Sequence, residues 1–355
     1  MTSPRLHDLH TARGAVSVPF QGRRIVESYG DPGGEFHALR HGVALMDFSA
    51  LGRLWIRGRD AQDYLHRQTS RDIRALAVGQ GVHAVFMRGD GRLVGEMILH
   101  RVREHEFLAL TMPACAEPLA ATLEKFIFTE DCTVTLETRE RSLISLLGRG
   151  AAPLVRQFLG WPPEHPPEFA CAVGTHGGEA AVIAHTGIAG VDGFHLFVGA
   201  AQVESLWETL AGIGATPVGW DAINRSRIEA GIPLFGFDHD DTWIPTDAGL
   251  HRTLDFKKGC FPGQEVVAKI ENIGHPRFAL RGLRLSGEAV PSPGTGLHTA
   301  GREIGAVASG CLSPTLRAPI ALAHLKWRWR EPGQTVTVGP AGSGETAEVV
   351  ELPFA

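Results

Sequence analysis

Apolar and polar residues alternate along several short stretches in the first half of the chain, with the period of two that is typical of half-buried strands. Residues 53–59 show this pattern. Residues 82–102 contain two such runs separated by Arg-Gly-Asp-Gly, in which Asp90-Gly91 is a turn signal. We therefore predict a strand at 53–59 and a β-hairpin over 82–102. Two further runs predict strands, at residues 133–137 and 142–147.

A helical period of about 3.6 residues appears in three other stretches. Apolar residues fall on one face over residues 116–128 and again over 202–212. A third helix is predicted from Asp221, a side chain suited to an N-cap, to Gly231, where Pro233 follows closely. The run 161–168 contains four prolines and predicts a loop.

The pattern changes after Ser286, where short apolar runs are separated by prolines and glycines. Strands this short, with turn signals between them, are typical of a small antiparallel barrel or sandwich. We therefore predict an α+β fold divided into an α+β body at residues 1–275 and a β-rich domain at 276–355. With 355 residues, the chain is long enough for two or three lobes.

Composition and charge exclude several classes of partner. The net charge of -5 gives no general attraction to nucleic acid or to anionic membranes. No stretch approaches 18 consecutive apolar residues, so no membrane span is predicted. The five cysteines are odd in number and include no C-x-x-C pair, which disfavours disulfides and a local zinc site. We expect a cytoplasmic protein without nucleic-acid or membrane partners.

The strongest candidate for chemistry is Cys260, which follows Lys257, Lys258 and Gly259. The sequence after Pro262-Gly263 predicts a helix whose free amides point toward the cysteine. Lysines and a helix N-terminus both stabilise a thiolate, which is a nucleophile and an iron ligand. The alternative is a buried structural cysteine in a tight loop.

Two other groups of charged residues have simpler explanations. Arg225 and Glu229 are four residues apart on the third helix, the spacing of a surface ion pair. The run from Asp238 to Asp241 contains carboxylates and a histidine, but four consecutive residues do not converge easily on one ion. We expect a solvated acidic loop there and no metal site.

Residues 258–265 read KGCFPGQE, which resembles the signature of YgfZ-type folate-binding proteins. The wider chain is similar to the superfamily that these proteins share with the glycine-cleavage T-protein. The matching stretches are GVALMDFSALG from residue 42, RIEAGIPLFGFD at 227–238, GVDGFHLFV at 190–198 and GREIGAVASG from residue 301.

The resemblance implies a three-lobed ring around a central folate cavity, with an antiparallel β-barrel lobe at the C-terminus. It implies tetrahydrofolate, or a derivative, as the ligand, and an iron–sulfur client or assembly protein as a partner. It also implies a functional pair, Cys260 and Lys258. The residues expected to contact folate are Arg227, Glu229, His195, Glu96 and Gln264.

Two positions depart from the T-protein pattern. Where T-proteins have a pair of aspartates after the hairpin turn, this chain has Gly95 and Glu96. Glu96 is a longer acid and is compatible with a solvated hairpin residue as well as with acid–base work. Where T-proteins have a glutamate that holds the pterin, this chain has His195, which lacks two adjacent acceptors and is compatible with an ordinary strand histidine.

These features favour a tetrahydrofolate-binding accessory protein that acts in iron–sulfur cluster assembly or repair through Cys260. The alternative is a tetrahydrofolate-dependent aminomethyltransferase or methyltransferase, which the barrel sequence and Ala248-Gly249-Leu250 favour and which Gly95 and His195 disfavour. A thiol hydrolase with a Cys–His pair is a third class, but no motif supports it.

Overall fold

The computed structural model describes residues 4–137, 141–161, 166–340 and 344–354. Within these ranges the helices are α1 (Pro4–Ala12), α2 (Pro32–His41), α3 (Ala61–Gln68), α4 (Pro113–Lys125), α5 (Ala151–Leu159), α6 (Val203–Gly212), α7 (Trp220–Glu229) and α8 (Gln264–Ile273). Short 3₁₀ turns lie at His251–Thr253 and Trp327–Trp329. None of the helices in these ranges is long and apolar enough to cross a membrane.

The strands are β1 (Val16–Phe20), β2 (Arg23–Ser28), β3 (Ala44–Asp47), β4 (Gly52–Arg57), β5 (Gly81–Met87), β6 (Leu93–Arg103), β7 (Glu106–Thr111), β8 (Thr133–Leu136), β9 (Arg141–Leu147), β10 (Cys171–His176), β11 (Glu179–Thr186), β12 (Gly193–Gly199), β13 (Thr216–Pro217), β14 (Phe278–Leu285), β15 (Gly296–Thr299), β16 (Arg302–Ser313), β17 (Ala318–Lys326), β18 (Thr335–Val338) and β19 (Glu345–Val350).

The strands form three main sheets and one small hairpin, β1-β2. A five-stranded sheet has the order β5-β6-β7-β4-β8, and a six-stranded sheet has the order β10-β11-β12-β9-β3-β13. The remaining strands close an antiparallel barrel in the order β14-β17-β16-β15-β18-β19. The predicted α+β fold with a C-terminal antiparallel barrel is confirmed, and each sheet is the framework of one lobe.

The predicted hairpin is confirmed as β5 and β6, in which Val85 pairs with Glu96. The turn uses Gly91 at φ +80°, a conformation that glycine adopts without strain. The predicted strands at 53–59, 133–137 and 142–147 correspond to β4, β8 and β9.

Two helices differ in detail from the prediction. Helix α4 begins at Pro113, before the predicted residue 116, because proline needs no amide partner in the first turn. Helix α7 begins at Trp220 with Gly219 as its N-cap, so the prediction of Asp221 as the cap was wrong. Asp221 instead accepts a hydrogen bond from Arg225 Nε at 2.9 Å, within the helix.

The barrel begins earlier than the change in sequence texture suggested, at Phe278. The connection between α8 and β14 contains the proposed boundary between residues 275 and 276. Of the proline-rich run predicted to be a loop, residues 162–165 lie outside the described residues.

The central hydrophobic core lies between the two open sheets and contains residues from both, such as Val85, Leu108, Val182 and Phe197. The opposite face of the five-stranded sheet packs against α4, and the opposite face of the six-stranded sheet packs against α5 and α6. Each open sheet therefore has one face directed at the other lobe and one face covered by helices.

Strand periodicity decides which polar residues face the layer between the sheets. In β6, Met97 and Leu99 belong to the core under α4, so Glu96 and His100 point to the opposite face. In β12, Phe197 belongs to the central core and His195 shares its face. These three polar side chains are buried, with 6%, 1% and 0% of their surface exposed respectively.

Candidate functional site

Glu96 lies where the five-stranded sheet meets the loop after α7. Its Oε1 atom accepts a hydrogen bond from the Phe235 amide at 3.0 Å and lies 3.6 Å from His239 Nε2. Its Oε2 atom lies 3.4 Å from His83 Nε2. We call Glu96, His83 and His239 the Glu96 cluster. Glu96 is thus no solvated hairpin residue.

The Glu96 cluster keeps a buried carboxylate ionised. Burial by itself would raise the pKa of Glu96, but electrostatic attraction to the nearby His239 and His83 rings outweighs it and holds the pKa well below the ordinary value. His239 is enclosed, whereas the His83 side chain is 34% exposed. The cluster therefore has one imidazole in the interior and one that reaches solvent.

The loop that supplies His239 is less solvated than predicted. Asp240 and Asp241 are exposed, but Asp238 and His239 are buried. The loop turns back on itself because the Gly236 amide donates to the His239 carbonyl at 2.7 Å. The prediction of a solvated acidic loop is therefore wrong for its first half.

Arg227 is fully buried and connects three parts of the molecule. Its guanidinium donates to Asp238 Oδ2 at 2.5 Å, to Asn224 Oδ1 at 2.9 Å and to Ser309 Oγ of β16 at 2.7 Å. Its Nη1 also donates to the Ile232 carbonyl at 3.2 Å. These protein partners occupy its donors, so Arg227 holds α7, the following loop and the barrel together.

Glu229 binds the barrel rather than a partner on its own helix. Its Oε1 accepts hydrogen bonds from Ser313 Oγ at 2.5 Å and from the Thr315 amide at 3.1 Å. Its Oε2 accepts one from Thr315 Oγ1 at 2.7 Å. The predicted ion pair of Glu229 with Arg225 is wrong, because Arg225 pairs with Asp221 at 2.9 Å. Both Glu229 oxygens are engaged in this contact between lobes.

His195 is buried in β12 with one ring nitrogen satisfied. Its Nδ1 lies 2.6 Å from Ser145 Oγ of β9, and its Nε2 has no hydrogen-bond partner among the described residues. Burial lowers the pKa of His195 to about 3, so the ring is neutral at pH 7. The ring therefore directs one unsatisfied polar atom into the layer between the sheets.

His100 in β6 has the same arrangement. Its Nδ1 lies 3.0 Å from the Phe169 carbonyl, and burial lowers its pKa to about 4. A carbonyl only accepts, so Nδ1 of the neutral ring carries the proton and Nε2 is a bare acceptor. That Nε2 also lacks a hydrogen-bond partner within the described residues. After burial, His100 is the next cause that lowers the pKa of His195.

Cys260 is the one exposed cysteine of the five, all of which lie in the described residues and are free thiols. It precedes α8, which begins at Gln264 as predicted, and Gly263 at φ +78° makes the turn into that helix. The following Phe261 is buried in the central core and holds the loop against the lobes.

The side chain of Lys258 is held by His66 and Phe261. Its Nζ donates to the His66 carbonyl and lies 5.0 Å from the centre of the Phe261 ring. Burial lowers the pKa of Lys258 to about 8. Lys257 is exposed, and Gln264 is partly buried at the start of α8. Within the described residues, neither Cys260 nor Lys258 forms a hydrogen bond or ion pair with the Glu96 cluster.

A cavity of about 680 Å³ opens beside α4, lined by residues that include Arg88, Lys125, Phe126, Phe235 and Pro262. Phe235 also donates its backbone N–H to Glu96, so this cavity adjoins the Glu96 cluster.

Within the described ranges, no group of three or more histidine, cysteine or acidic side chains is arranged to hold a metal ion.

The sequence-based prediction did not include His83, His100 or Ser145, and it assigned Asp238 and His239 to a solvated acidic loop. A signal existed for two of them: once the hairpin register is set by the turn at Asp90-Gly91, period-two alternation puts His83 and His100 on the same face as Glu96. Ser145 lies opposite His195 on the neighbouring strand β9, a pairing of distant segments that no local pattern specifies. His239 lies in the run from Asp238 to Asp241, but its partner Glu96 is 143 residues away in the chain.

Known proteins share this fold, a mixed α+β body followed by a C-terminal barrel. The GCVT N-terminal domain matches residues 6–258, and the glycine cleavage T-protein C-terminal barrel domain matches residues 279–355. The chain belongs to the glycine cleavage T-protein family.

Individual relatives agree with this assignment over their whole length. An aminomethyltransferase of Streptomyces avermitilis is 32% identical over 98% of this chain and 96% of its own. One of Saccharopolyspora erythraea is 30% identical over 100% and 99%. The crystal structure of the glycine cleavage system aminomethyltransferase T from Bartonella henselae superposes with a TM-score of 0.91 at 26% identity, covering 99% of this chain and 97% of that one.

The comparisons confirm the predicted superfamily. Within it, they favour the aminomethyltransferases over the YgfZ-type folate-binding proteins. The relatives carry the name of the transferase, which the sequence analysis ranked second, and not that of the YgfZ-type folate-binding proteins, which it ranked first.

Proposed function

We propose that this protein is a tetrahydrofolate-dependent one-carbon transferase of the aminomethyltransferase or methyltransferase type. The observation that carries the proposal is the ionised carboxylate of Glu96, buried between two imidazoles where the lobes meet. Perturbed, buried acids of this kind are typical of catalytic sites. The names of the full-length relatives support the same class of reaction.

The polar atoms left without partners fit a ligand rich in hydrogen-bond donors. His100 Nε2 and Glu96 Oε2 are acceptors, and His195 Nε2 is either donor or acceptor according to the tautomer that Ser145 selects. A reduced pterin carries ring N–H groups and an amino group. We propose that these three side chains contact the pterin ring. Arg227 and Glu229, which the sequence analysis expected there, are instead occupied by protein partners.

Tetrahydrofolate, when bound, supplies the nitrogen that accepts the one-carbon unit. The chain has to hold the reacting amine, stabilise positive charge and move a proton. Glu96 Oε2 is the group available for proton transfer, because Oε1 is held by the Phe235 amide. His83 connects Glu96 to solvent, and His239 on the other side favours the ionised form.

The decisive experiment combines the purified protein with tetrahydrofolate and an aminomethyl donor and follows methylene-tetrahydrofolate formation. We expect Glu96→Gln to lower the rate by about 10²–10⁴-fold, the usual contribution of a positioned acid or base. Glu104→Gln, at an exposed carboxylate in the same lobe, is the matched control and should keep the full rate. Absence of folate-dependent turnover in the unmodified protein would remove the proposal.

A second candidate rests on the exposure of Cys260, and it retains the YgfZ-type role in iron–sulfur cluster assembly or repair. The thiol is accessible to an iron–sulfur client protein, as an iron ligand must be. In cells lacking the native protein, Cys260→Ser should then fail to restore the activity of iron–sulfur enzymes, whereas Glu96→Gln should restore it. The reverse pattern, in which Cys260→Ser restores these enzymes and Glu96→Gln does not, supports the transferase.

A cytoplasmic location and a domain boundary at 275/276 remain part of the proposal.

A further inference from the structure

One end of the barrel carries exposed cations beside two half-buried tryptophan rings. We call this surface the Arg–Trp patch. It comprises His275, Arg277, Arg281, Lys326, Trp327, Arg328, Trp329 and Arg330.

Two distant segments form the Arg–Trp patch because β14 and β17 are antiparallel neighbours, with Phe278 opposite Lys326. The Trp327 amide donates to the Arg277 carbonyl at 3.0 Å. Arg281 Nε donates to the Arg330 carbonyl at 2.7 Å. The start of the barrel and the 3₁₀ turn after β17 are therefore fixed relative to each other, and their cations share one surface.

Aromatic rings hold the cations of the patch in defined positions. The His275 ring is stacked on Trp327, with centroids 5.5 Å apart and planes at 4°. The Arg330 guanidinium lies 4.0 Å from the centre of the Trp327 ring, and that of Arg328 lies 5.7 Å from the centre of Trp329. A guanidinium packed on a ring keeps its N–H groups directed outward and loses less freedom on binding.

The patch contains more positive charge than its own acids neutralise. The side chains of Arg277, Lys326 and Arg328 are exposed and form no ion pair with a carboxylate of the described residues, although the Arg277 amide donates to Asp247 Oδ1 at 2.7 Å. Arg330 pairs with Glu331 at 2.9 Å. Exposed arginines on the first lobe behave differently: Arg59 pairs with Asp131 and Arg74 with Asp63, both at 2.6 Å. In a chain of net charge -5, this concentration of unpaired cations indicates a partner that supplies the carboxylates.

We infer that the Arg–Trp patch binds an acidic segment of a partner protein. Carboxylates of that segment pair with Arg277, Lys326 and Arg328, and an apolar side chain between them packs on the parts of Trp327 and Trp329 that remain accessible. Arginine and tryptophan are the residues most enriched at the centres of protein–protein interfaces. A nucleic acid is the less favoured occupant, because the negative charge of the whole chain opposes a long polyphosphate.

The test uses the intact protein and a fluorescent synthetic peptide of about twelve residues in which glutamate alternates with leucine and phenylalanine. Anisotropy titrations give its affinity at low and at physiological salt. We expect saturable binding that weakens with salt, and a loss of about tenfold or more in Arg277→Glu/Arg328→Glu. The control Arg59→Glu/Arg74→Glu changes the same amount of charge on another lobe and should retain the affinity.

Circular dichroism and the melting temperature establish that each variant is folded, and Arg277→Gln/Arg328→Gln gives a milder loss without reversing charge. Three results overturn the inference: absence of saturable peptide binding, an equal loss in the control variant, and tighter binding of a single-stranded oligonucleotide of equal charge. The last result would make the patch a nucleic-acid surface. None of these outcomes depends on whether the protein transfers one-carbon units.

Discussion

The Nε2 atom of His239 lies 3.6 Å from Oε1 of Glu96, although 143 residues separate the two in the chain. The contact joins the five-stranded sheet to the loop after α7. His239 thereby helps to keep a buried carboxylate charged, and its own position is set by the hydrogen bond between the Gly236 amide and the His239 carbonyl.

Replacing His239 should change the pH dependence of catalysis. In His239→Asn the carboxylate loses an imidazole that lowers its pKa, so the pKa of Glu96 rises. If turnover requires ionised Glu96, the acid limb of the pH–rate profile moves to higher pH, and kcat falls on the acid side of the profile. The exposed His37→Asn is the control. An acid limb unchanged in His239→Asn would show that Glu96 ionisation does not limit the reaction.

The buried neutral histidines predict loss of stability in acid. The folded-state pKa values of His100 and His195, about 4 and about 3, lie below the ordinary value of 6.5. The unfolded chain therefore binds more protons between these values, and the free energy of unfolding falls as the pH drops below about 6.5. For His100 alone the full effect is about 3 kcal/mol.

Urea midpoints at several pH values from 7 to 4 measure this effect. The His195→Asn variant keeps a polar atom near Ser145 but cannot titrate, so its stability should decline less steeply. A decline as steep as that of the unmodified protein would place the acid sensitivity in other groups.

The Arg227–Asp238 pair predicts a large cost for removing one partner. Asp238→Asn leaves the buried guanidinium without its counter-charge and should lower the free energy of unfolding by about 3–5 kcal/mol. Asp241→Asn, on the exposed half of the same loop, should change it by less than about 0.5 kcal/mol. Chemical denaturation of both variants provides the measurement, and equal effects would contradict the buried pair.

Glu229 gives a prediction that separates a structural role from folate binding. In Glu229→Gln the amide group no longer accepts the hydrogen bond from Thr315 Oγ1, so the loop at residues 313–316 should exchange its amide hydrogens faster. The folate dissociation constant should stay the same. A clear loss of folate affinity without faster exchange would place Glu229 in the ligand site instead.

Cys260 should react before the other four cysteines. It is exposed, whereas burial raises the pKa of Cys115 and Cys132 to about 11 and that of Cys171 and Cys311 to about 12. Brief alkylation of the native protein at neutral pH, followed by peptide mass spectrometry, should therefore label Cys260 alone. Labelling of a buried cysteine at a comparable rate would contradict the described packing.

Local sequence patterns determined most of the secondary structure. The alternation at 82–102 and the Asp90-Gly91 turn specify the hairpin, because side-chain period and turn geometry act over only a few residues. The same holds for the helix at 202–212, which is α6, and for the short strands of the barrel. Period two also determined that Glu96 and His100 share one face of β6.

The residues that contact this face of β6 were decided only by the tertiary structure. Burial of Glu96 depends on the loop that brings His239 and the Phe235 amide to it. Glu229 reaches Thr315 across 86 residues instead of Arg225 in the next turn. Such contacts are set by how the lobes pack. The residues next to a side chain in the sequence specify which face of the strand or helix it occupies. The residue that pairs with its charge comes from a distant part of the chain, which local patterns do not describe.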